Sequence, residues 1–207
     1  DDDYLLDLTR PLYYRNIHKT FSYGGEIQGS ARTNFGTTTF GVEFNKEEIT
    51  SSNLGNHVRG KGGFFGEHIV EPFDNVFASF GFFAYKYSNI NWKFWPGIDV
   101  AYKVSNELKI YANFGKSFRI PTFTELYYTS PANLGNPNLT FEESTNYELG
   151  SAYSGDAFFF ETSLFFKDGT NIIDWTRVSQ QDPWRVENVG KVKTYGGEFN
   201  FSLFPEK

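Results

Sequence analysis

The links between the apolar stretches alternate in length, and no other feature of the chain restricts its fold as strongly. Short, turn-rich links stand at Asn34-Phe35-Gly36, Pro72-Phe73-Asp74-Asn75, Ser105-Asn106-Glu107 and Ser154-Gly155-Asp156; longer polar ones occupy about 9–19, 49–61, 119–142 and 177–188. One link, 88–91, is short where the pattern calls for a long one. The segments between them, roughly 1–8, 20–33, 37–49, 62–71, 76–87, 91–104, 107–118, 143–153, 157–176 and 189–203, read as about ten antiparallel strands in an up-and-down meander. Residues within them alternate with period two. Over 37–47, Thr38, Phe40, Val42, Phe44 and Lys46 share one face, and Thr37, Thr39, Gly41, Glu43, Asn45 and Glu47 share the other. Leu108, Ile110, Ala112 and Phe114 are set against Lys109, Tyr111, Asn113 and Gly115, and the stretches from Phe158 and Tyr195 repeat the pattern. The only helical signal is a single turn at 122–128.

Aromatic residues outnumber Leu, Ile and Val among the apolar side chains, unlike an ordinary water-soluble core. Phe supplies 24 of the 207 residues and aromatics reach 20%, yet hydrophobic residues total only 39%, a balance that favours strands. The longest nearly apolar run, 77–85, is about half the roughly 20 residues a membrane-spanning helix needs, but it suffices for a strand that crosses as part of a barrel. Short turns at one end, long loops at the other and a small, polar opposite face predict an all-β, antiparallel transmembrane β-barrel. Its turns would be periplasmic and its loops extracellular, in a bacterial outer membrane. Tyr23, Tyr85, Tyr87, Trp92, Tyr147 and Tyr195 are then expected near the loop ends of their strands and Tyr102 and Tyr153 near the turn ends, all on the apolar face, as interface aromatics. The rival reading is a soluble or secreted all-β carbohydrate-binding protein with Trp175, Trp184 and Arg185 as its platform.

The net charge of −6 leaves no basic surface for a phosphate backbone, so nucleic acid is not an expected partner. Cysteine is absent, and His18, His57 and His68 are too dispersed for a zinc signature; no metal, cofactor or catalytic residue is expected. Methionine is absent at position 1 and no basic-then-apolar segment opens the chain, which reads as a processed mature form or an excised internal piece of a longer protein, the second being the preferred reading. Glu26 and Glu198 recur in matching Tyr-Gly-Gly-Glu runs, Tyr23 to Glu26 and Tyr195 to Glu198, read as a repeated way of starting a strand.

Between Tyr111 and Gly150 the chain carries a more specific pattern. The run Asn113-Phe114-Gly115-Lys116-Ser117-Phe118-Arg119-Ile120-Pro121 leads to Glu125-Leu126-Tyr127-Tyr128. Gly135-Asn136-Pro137-Asn138-Leu139 follows, then Glu142-Glu143-Ser144 and Asn146-Tyr147-Glu148-Leu149-Gly150. This order closely resembles TonB-dependent outer-membrane receptors, with Phe141 where the family usually has proline. Arg119, Pro121, Glu125, Gly135, Asn136, Pro137 and Leu139 are expected to shape the loop. Pro121 pushes Ile120 into an extended conformation, Gly135 can supply a positive φ, and Glu125 can accept from Arg119 or from loop amides.

The resemblance implies uptake of a scarce nutrient, such as a ferric siderophore, haem, cobalamin or a glycan, bound by extracellular loops and a plug. The TonB complex would pull on the plug, so it is a partner only if the full protein has one. Candidate ligand contacts are Tyr127, Tyr128, Trp175, Trp184 and Arg185. Outer-membrane lipid is the other expected partner. Family barrels have about 22 strands around a plugged lumen, so residues 1–207 read as a barrel segment with no visible plug domain or TonB box, not transport-competent alone. Two outcomes stand open: a part of a larger receptor, or a small closed barrel in which the first strand pairs with the last.

Overall fold

The computed structural model describes residues 2–5, 8–10 and 15–204. In chain order the elements are β1 (Asp2–Leu5), β2 (Arg15–Thr33), β3 (Gly36–Ser51), β4 (Gly55–Phe73), β5 (Val76–Tyr87), β6 (Ile90–Lys103), β7 (Leu108–Arg119), α1 (Phe123–Tyr127), β8 (Asn133–Leu134), β9 (Glu142–Ser154), β10 (Phe158–Thr170), β11 (Ile173–Thr176), β12 (Trp184–Asn188) and β13 (Lys191–Leu203). Ten of them form one antiparallel meander in the order β1-β2-β3-β4-β5-β6-β7-β9-β10-β13, while β8, β11 and β12 make a small second sheet within the loops.

Short turns close one end. Gly36 holds φ at +126° between β2 and β3, and a Cβ there would press on the Ile69 carbonyl oxygen, so any other residue is strained at this turn. Asn75, at φ 64°, turns β4 into β5.

The opposite end departs from the sequence reading. The expected loop 49–61 is strand for most of its length: β3 runs to Ser51, β4 starts at Gly55, and Leu54 is buried between them. These strands of 16 and 19 residues span about 53 and 63 Å at about 3.3 Å per residue, longer than the apolar band of about 25 Å expected of a transmembrane strand. Above that band a strand needs no apolar face, and its sequence then reads as a polar loop. The expected loop 9–19 likewise gives way to β2 at Arg15, with 11–14 outside the described residues. The single strand expected over 157–176 breaks where Asn171 takes φ 55°, and the loop 177–188 contains β12.

The register assigns the faces. Glu26 is opposite Glu43, Glu43 opposite Gly63 and Gly63 opposite Tyr85; Asp99, Asn113 and Glu148 align in the same way, as do Tyr111, Gly150, Ser163 and Glu198. Polar side chains thus collect on one wall. The other carries Phe40, Val42, Phe44, Ile110, Leu149, Leu164 and Phe199, all exposed, Leu149 at 58% and Leu164 at 67%. An apolar sheet face of this extent is at odds with a protein immersed in water.

One expectation changes here, and one open outcome is decided. Tyr85 and Tyr87 are not on the apolar face: they align with Glu43 and Lys61 and are only 5% and 6% exposed, packed with Trp95. Nor does the sheet close. The described β1 is four residues long and pairs with β2, β13 pairs with β10, and the two stand at opposite edges without meeting; of the predicted first strand, 1, 6 and 7 lie outside the described residues. Closing a cylinder of only ten strands would demand tight curvature across every pair, and this sheet stops short of a full turn.

Candidate functional site

The candidate ligand and loop-motif residues gather at the loop end of the sheet, where the segment between β7 and β9 is held by charge and capping rather than by an apolar core. Thr122 caps α1: its hydroxyl accepts from the Glu125 amide at 3.2 Å, and its own amide donates to Glu125 Oε2 at 2.7 Å, the reciprocal pair of a capping box. Glu125 is thereby aimed back at Arg119, whose Nη1 donates to its two oxygens at 3.1 and 2.9 Å. The same guanidinium forks onto Glu142, Nε to Oε2 at 3.0 Å and Nη2 to Oε1 at 2.6 Å, so one planar cation ties the end of β7 to the start of β9 and to the loop helix. Burial pushes the Glu125 carboxyl up, but hydrogen bonds from Arg119 and Thr122 outweigh it and hold it below the ordinary carboxylate range. The Ile173 amide donates to Glu142 at 2.8 Å, which brings the second long loop to the same point.

Further along, Gly135 donates to the Tyr128 carbonyl at 2.6 Å and Asn136 to the Glu125 carbonyl at 2.9 Å. Gly135 does not use the positive φ expected of it; only Gly36, Gly55 and Gly190 do so among the described glycines. Its role is close approach, since a Cβ would lie 2.9 Å from the Tyr128 nitrogen and 3.0 Å from the Glu125 oxygen. Asn136 Nδ2 donates to the Val186 carbonyl at 3.2 Å and its Oδ1 accepts from Asn138 at 3.0 Å, an Asx turn around Pro137. Leu139 donates to the Asn136 carbonyl at 3.3 Å. The two long loops are then stitched together. β8 pairs in parallel with β12, and Asn188 exchanges hydrogen bonds with both backbone groups of Thr140 at 3.0 Å, around a fully buried Val186.

Of the candidate ligand contacts, Tyr127 stacks on His57 with centroids 3.5 Å apart and planes within 4°. Trp175 pairs with Val186 across β11 and β12, and Trp184, 37% exposed, lies under the Arg177 guanidinium at 4.5 Å. Arg185 pairs with Thr176 in the same small sheet and is exposed. Tyr127 is therefore on the β3–β4 side of the loop cluster, and the tryptophans are in the second long loop. Sequence reading missed the residues that join the loop to the sheet. Arg59 on β4 donates to Glu47 at 2.7 Å and to the Pro121 carbonyl at 2.7 Å, with its guanidinium 4.8 Å from the Phe123 ring. Nothing local in the sequence marks Arg59 or His57, whereas the Thr122-x-x-Glu125 spacing does mark the cap.

On the polar wall, Glu43 binds Lys61 at 2.5 Å and accepts from the Tyr85 hydroxyl at 2.7 Å. Tyr111 donates to Glu161 at 3.2 Å, and Ser79 to Glu67 at 2.5 Å. No group of three or more metal-ligating carboxylates or imidazoles occurs among the described residues.

The chain is 33% identical over 101 residues to the vitamin B12 transporter BtuB of Photobacterium profundum, an overlap of 47% of this chain and 16% of that protein. Its fold is similar to the siderophore receptor PirA of Pseudomonas aeruginosa, with a TM-score of 0.78 and 20% identity, covering 90% of this chain and 37% of that one. It is also similar to the hemophore receptor HasR of Serratia marcescens, solved with its hemophore and heme, at a TM-score of 0.80 and 17% identity over 91% of this chain and 40% of that one. The chain thus spans about a sixth of the curated relative and a little over a third of the solved receptors. A family model described as TonB dependent receptor-like, beta-barrel, matches residues 72–204, well over half the chain. Its members are transport receptors of the bacterial outer membrane that bind small-molecule nutrients, not a family of enzymes. A meander with an apolar face, a polar wall and loops locked at Arg119 belongs, on these grounds, to the TonB-dependent receptor β-barrel family.

Proposed function

We propose that the chain is part of the barrel wall of an outer-membrane receptor that takes up a scarce nutrient of the ferric siderophore, haem or cobalamin class, and that these 207 residues do not transport alone. One observation carries the reading. The sheet has a lipid-compatible face and a charged wall, yet among the described residues the outer edge of β2 from Lys19 to Thr33, beyond its short pairing with β1, and the outer edge of β13 have no strand partner, and hydrocarbon does not tolerate unpaired backbone amides. Further strands that complete the cylinder satisfy those edges, and the polar wall then encloses a lumen wide enough for a plug, through which the TonB complex would act. The relatives, a vitamin B12 transporter, a siderophore receptor and a hemophore receptor, support the nutrient class.

In this reading Tyr23, Trp92, Tyr147 and Tyr195 sit at the outer interface and Tyr102 and Tyr153 at the periplasmic one, all on the apolar face. Tyr128, Trp175, Trp184 and Arg185 reach cargo from the loop cluster, while Tyr127 contributes through its stack on His57. The test is growth of a receptor-deficient Gram-negative strain that expresses the complete receptor carrying this segment, on ferric siderophore, haem or cobalamin, with and without TonB. Growth on one class, lost without TonB, is expected, and none with residues 1–207 alone. Equal import by the isolated segment, or fractionation of the receptor with soluble protein, would overturn the reading.

A further inference from the structure

The outward face carries its charges at one end only. At the turn end, between Tyr102, Tyr153 and Leu203, the outward positions of the described strands hold no lysine, arginine or carboxylate. At the loop end four strands repeat one arrangement, in which the outward residue next beyond an outward aromatic ring, toward the loops, is a lysine. Lys19 follows Phe21 on β2, Lys46 follows Phe44 on β3, Lys116 follows Phe114 on β7, and Lys193 follows Tyr195 on β13. Lys86 takes the equivalent place after Ala84 on β5.

Lys19, Lys86, Lys116 and Lys193 are exposed, and among the described residues none has a carboxylate within salt-bridge distance; only Lys46 is paired, to Glu48 at 2.6 Å, with its ammonium 5.6 Å from the Tyr23 ring. Glu143 and Asp168 share that face between Lys116 and Lys193, so the positive charge is a row of separate points and not a continuous patch. In a chain of net charge −6, solvated surface alone does not call for unpaired cations at one fixed step above an apolar band.

Resting on the outer-membrane reading above, we infer that this row binds the phosphate groups of anionic glycolipid in the outer leaflet. The rings end the acyl region, and each lysine stem runs up beside its ring so that the ammonium reaches headgroup height. Charge complementarity selects the ligand, because each ammonium is a compact donor suited to a phosphate oxygen, and five of them on one curved wall engage several lipids at once.

The test uses the complete receptor carrying this segment, purified in detergent and mixed with bisphosphorylated lipid A or with the same lipid stripped of phosphate, and read by native mass spectrometry. Retention of the bisphosphorylated lipid is expected, falling at least about tenfold in the triple variant Lys86→Gln, Lys116→Gln, Lys193→Gln. Lys103→Gln with Lys109→Gln, on the polar wall at the turn end, is expected to leave it unchanged. Heat-shifted mobility on electrophoresis confirms that each variant is folded. Equal retention of the stripped lipid, no loss in the triple variant, or displacement by millimolar inorganic phosphate would overturn the inference. A receptor that binds the lipid but fails every uptake assay would sink the nutrient reading and leave this one standing.

Discussion

Trp95 and Phe118 lie ring on ring, with centroids 3.7 Å apart and planes 14° apart, although no backbone pairing joins them. The β6–β7 ladder stops at Gly97 opposite Gly115, after seven residue pairs, and above it the strands part. The stack fills the opening. Tyr85 and Tyr87 pack beside it, with Ile90 and Ile120 at the edge, and this is where the sheet has a buried aromatic core. The seam is thus closed by side chains where hydrogen bonds end.

Removing that ring is expected to weaken the loop end. Phe118→Ala should cost about 2–3 kcal/mol, less than a fully buried ring because Phe118 is half-buried, and should shift tryptophan emission to the red as Trp95 is uncovered. Urea unfolding monitored by fluorescence reads both. An unchanged emission maximum and midpoint would show that the stack contributes nothing.

Arg119 is the tie between β7, α1 and β9. With a side chain 40% exposed, Arg119→Ala is expected to cost only about 1–2 kcal/mol overall, but to speed amide exchange through 120–141, because the Glu125 and Glu142 carboxylates lose their shared cation. Arg119→Lys should recover little, since a point charge cannot fork onto two carboxylates. Exchange confined to other segments would contradict the assignment.

The pH dependence follows from the depressed Glu125 carboxyl. A carboxylate whose folded pKa lies below its unfolded value stabilises fully above the unfolded value of about 4.3, and that contribution fades as pH falls through the folded one. Loop protection should therefore be flat from pH 7 to about 5 and decline below. In Glu125→Gln the decline should shrink. Loss of protection between pH 7 and 6 would point to a different group.

Orientation is tested by charge. Leu149 stands opposite Ala112 and Leu164 in the middle of the apolar face, so Leu149→Arg should cost about 2–4 kcal/mol in a detergent or bilayer refolding assay. Ile110 stands opposite Tyr102, two residues from the start of β7, and its arginine variant should cost no more than about 1 kcal/mol. Asn113→Arg, between Asp99 and Glu148 on the polar wall, should be milder than Leu149→Arg. Equal effects would invert the faces.

Gly135→Ala is expected to displace the loop without disturbing the sheet, because its Cβ would press on the backbone of Tyr128 and Glu125. Amide exchange should rise at 126–136 and stay low in β7 and β9. A variant with native exchange throughout would show that the loop can give way.

Period-two alternation is a local property, and it was enough to read ten strands, their order, and the faces of Phe40 and Glu43 or Leu108 and Lys109. Turn chemistry at Gly36 and Asn75 is equally local, as is the Thr122 cap. The motif from Arg119 to Leu139 could be recognised because its residues meet within one segment. What the sequence could not decide depends on partners far along the chain. Polar strand extensions at Ser51 and Gly55 look like loops until a neighbour hydrogen-bonds them, and Tyr85 looks like an interface ring until Glu43 and Trp95 take it up. Arg59 acquires a role only when Pro121, 62 residues away, is set beside it. Closure is the extreme case: alternation fixes which way a side chain points on its strand, but the curvature that would bring β1 to β13 is a sum over the whole sheet, and only the tertiary structure states that sum.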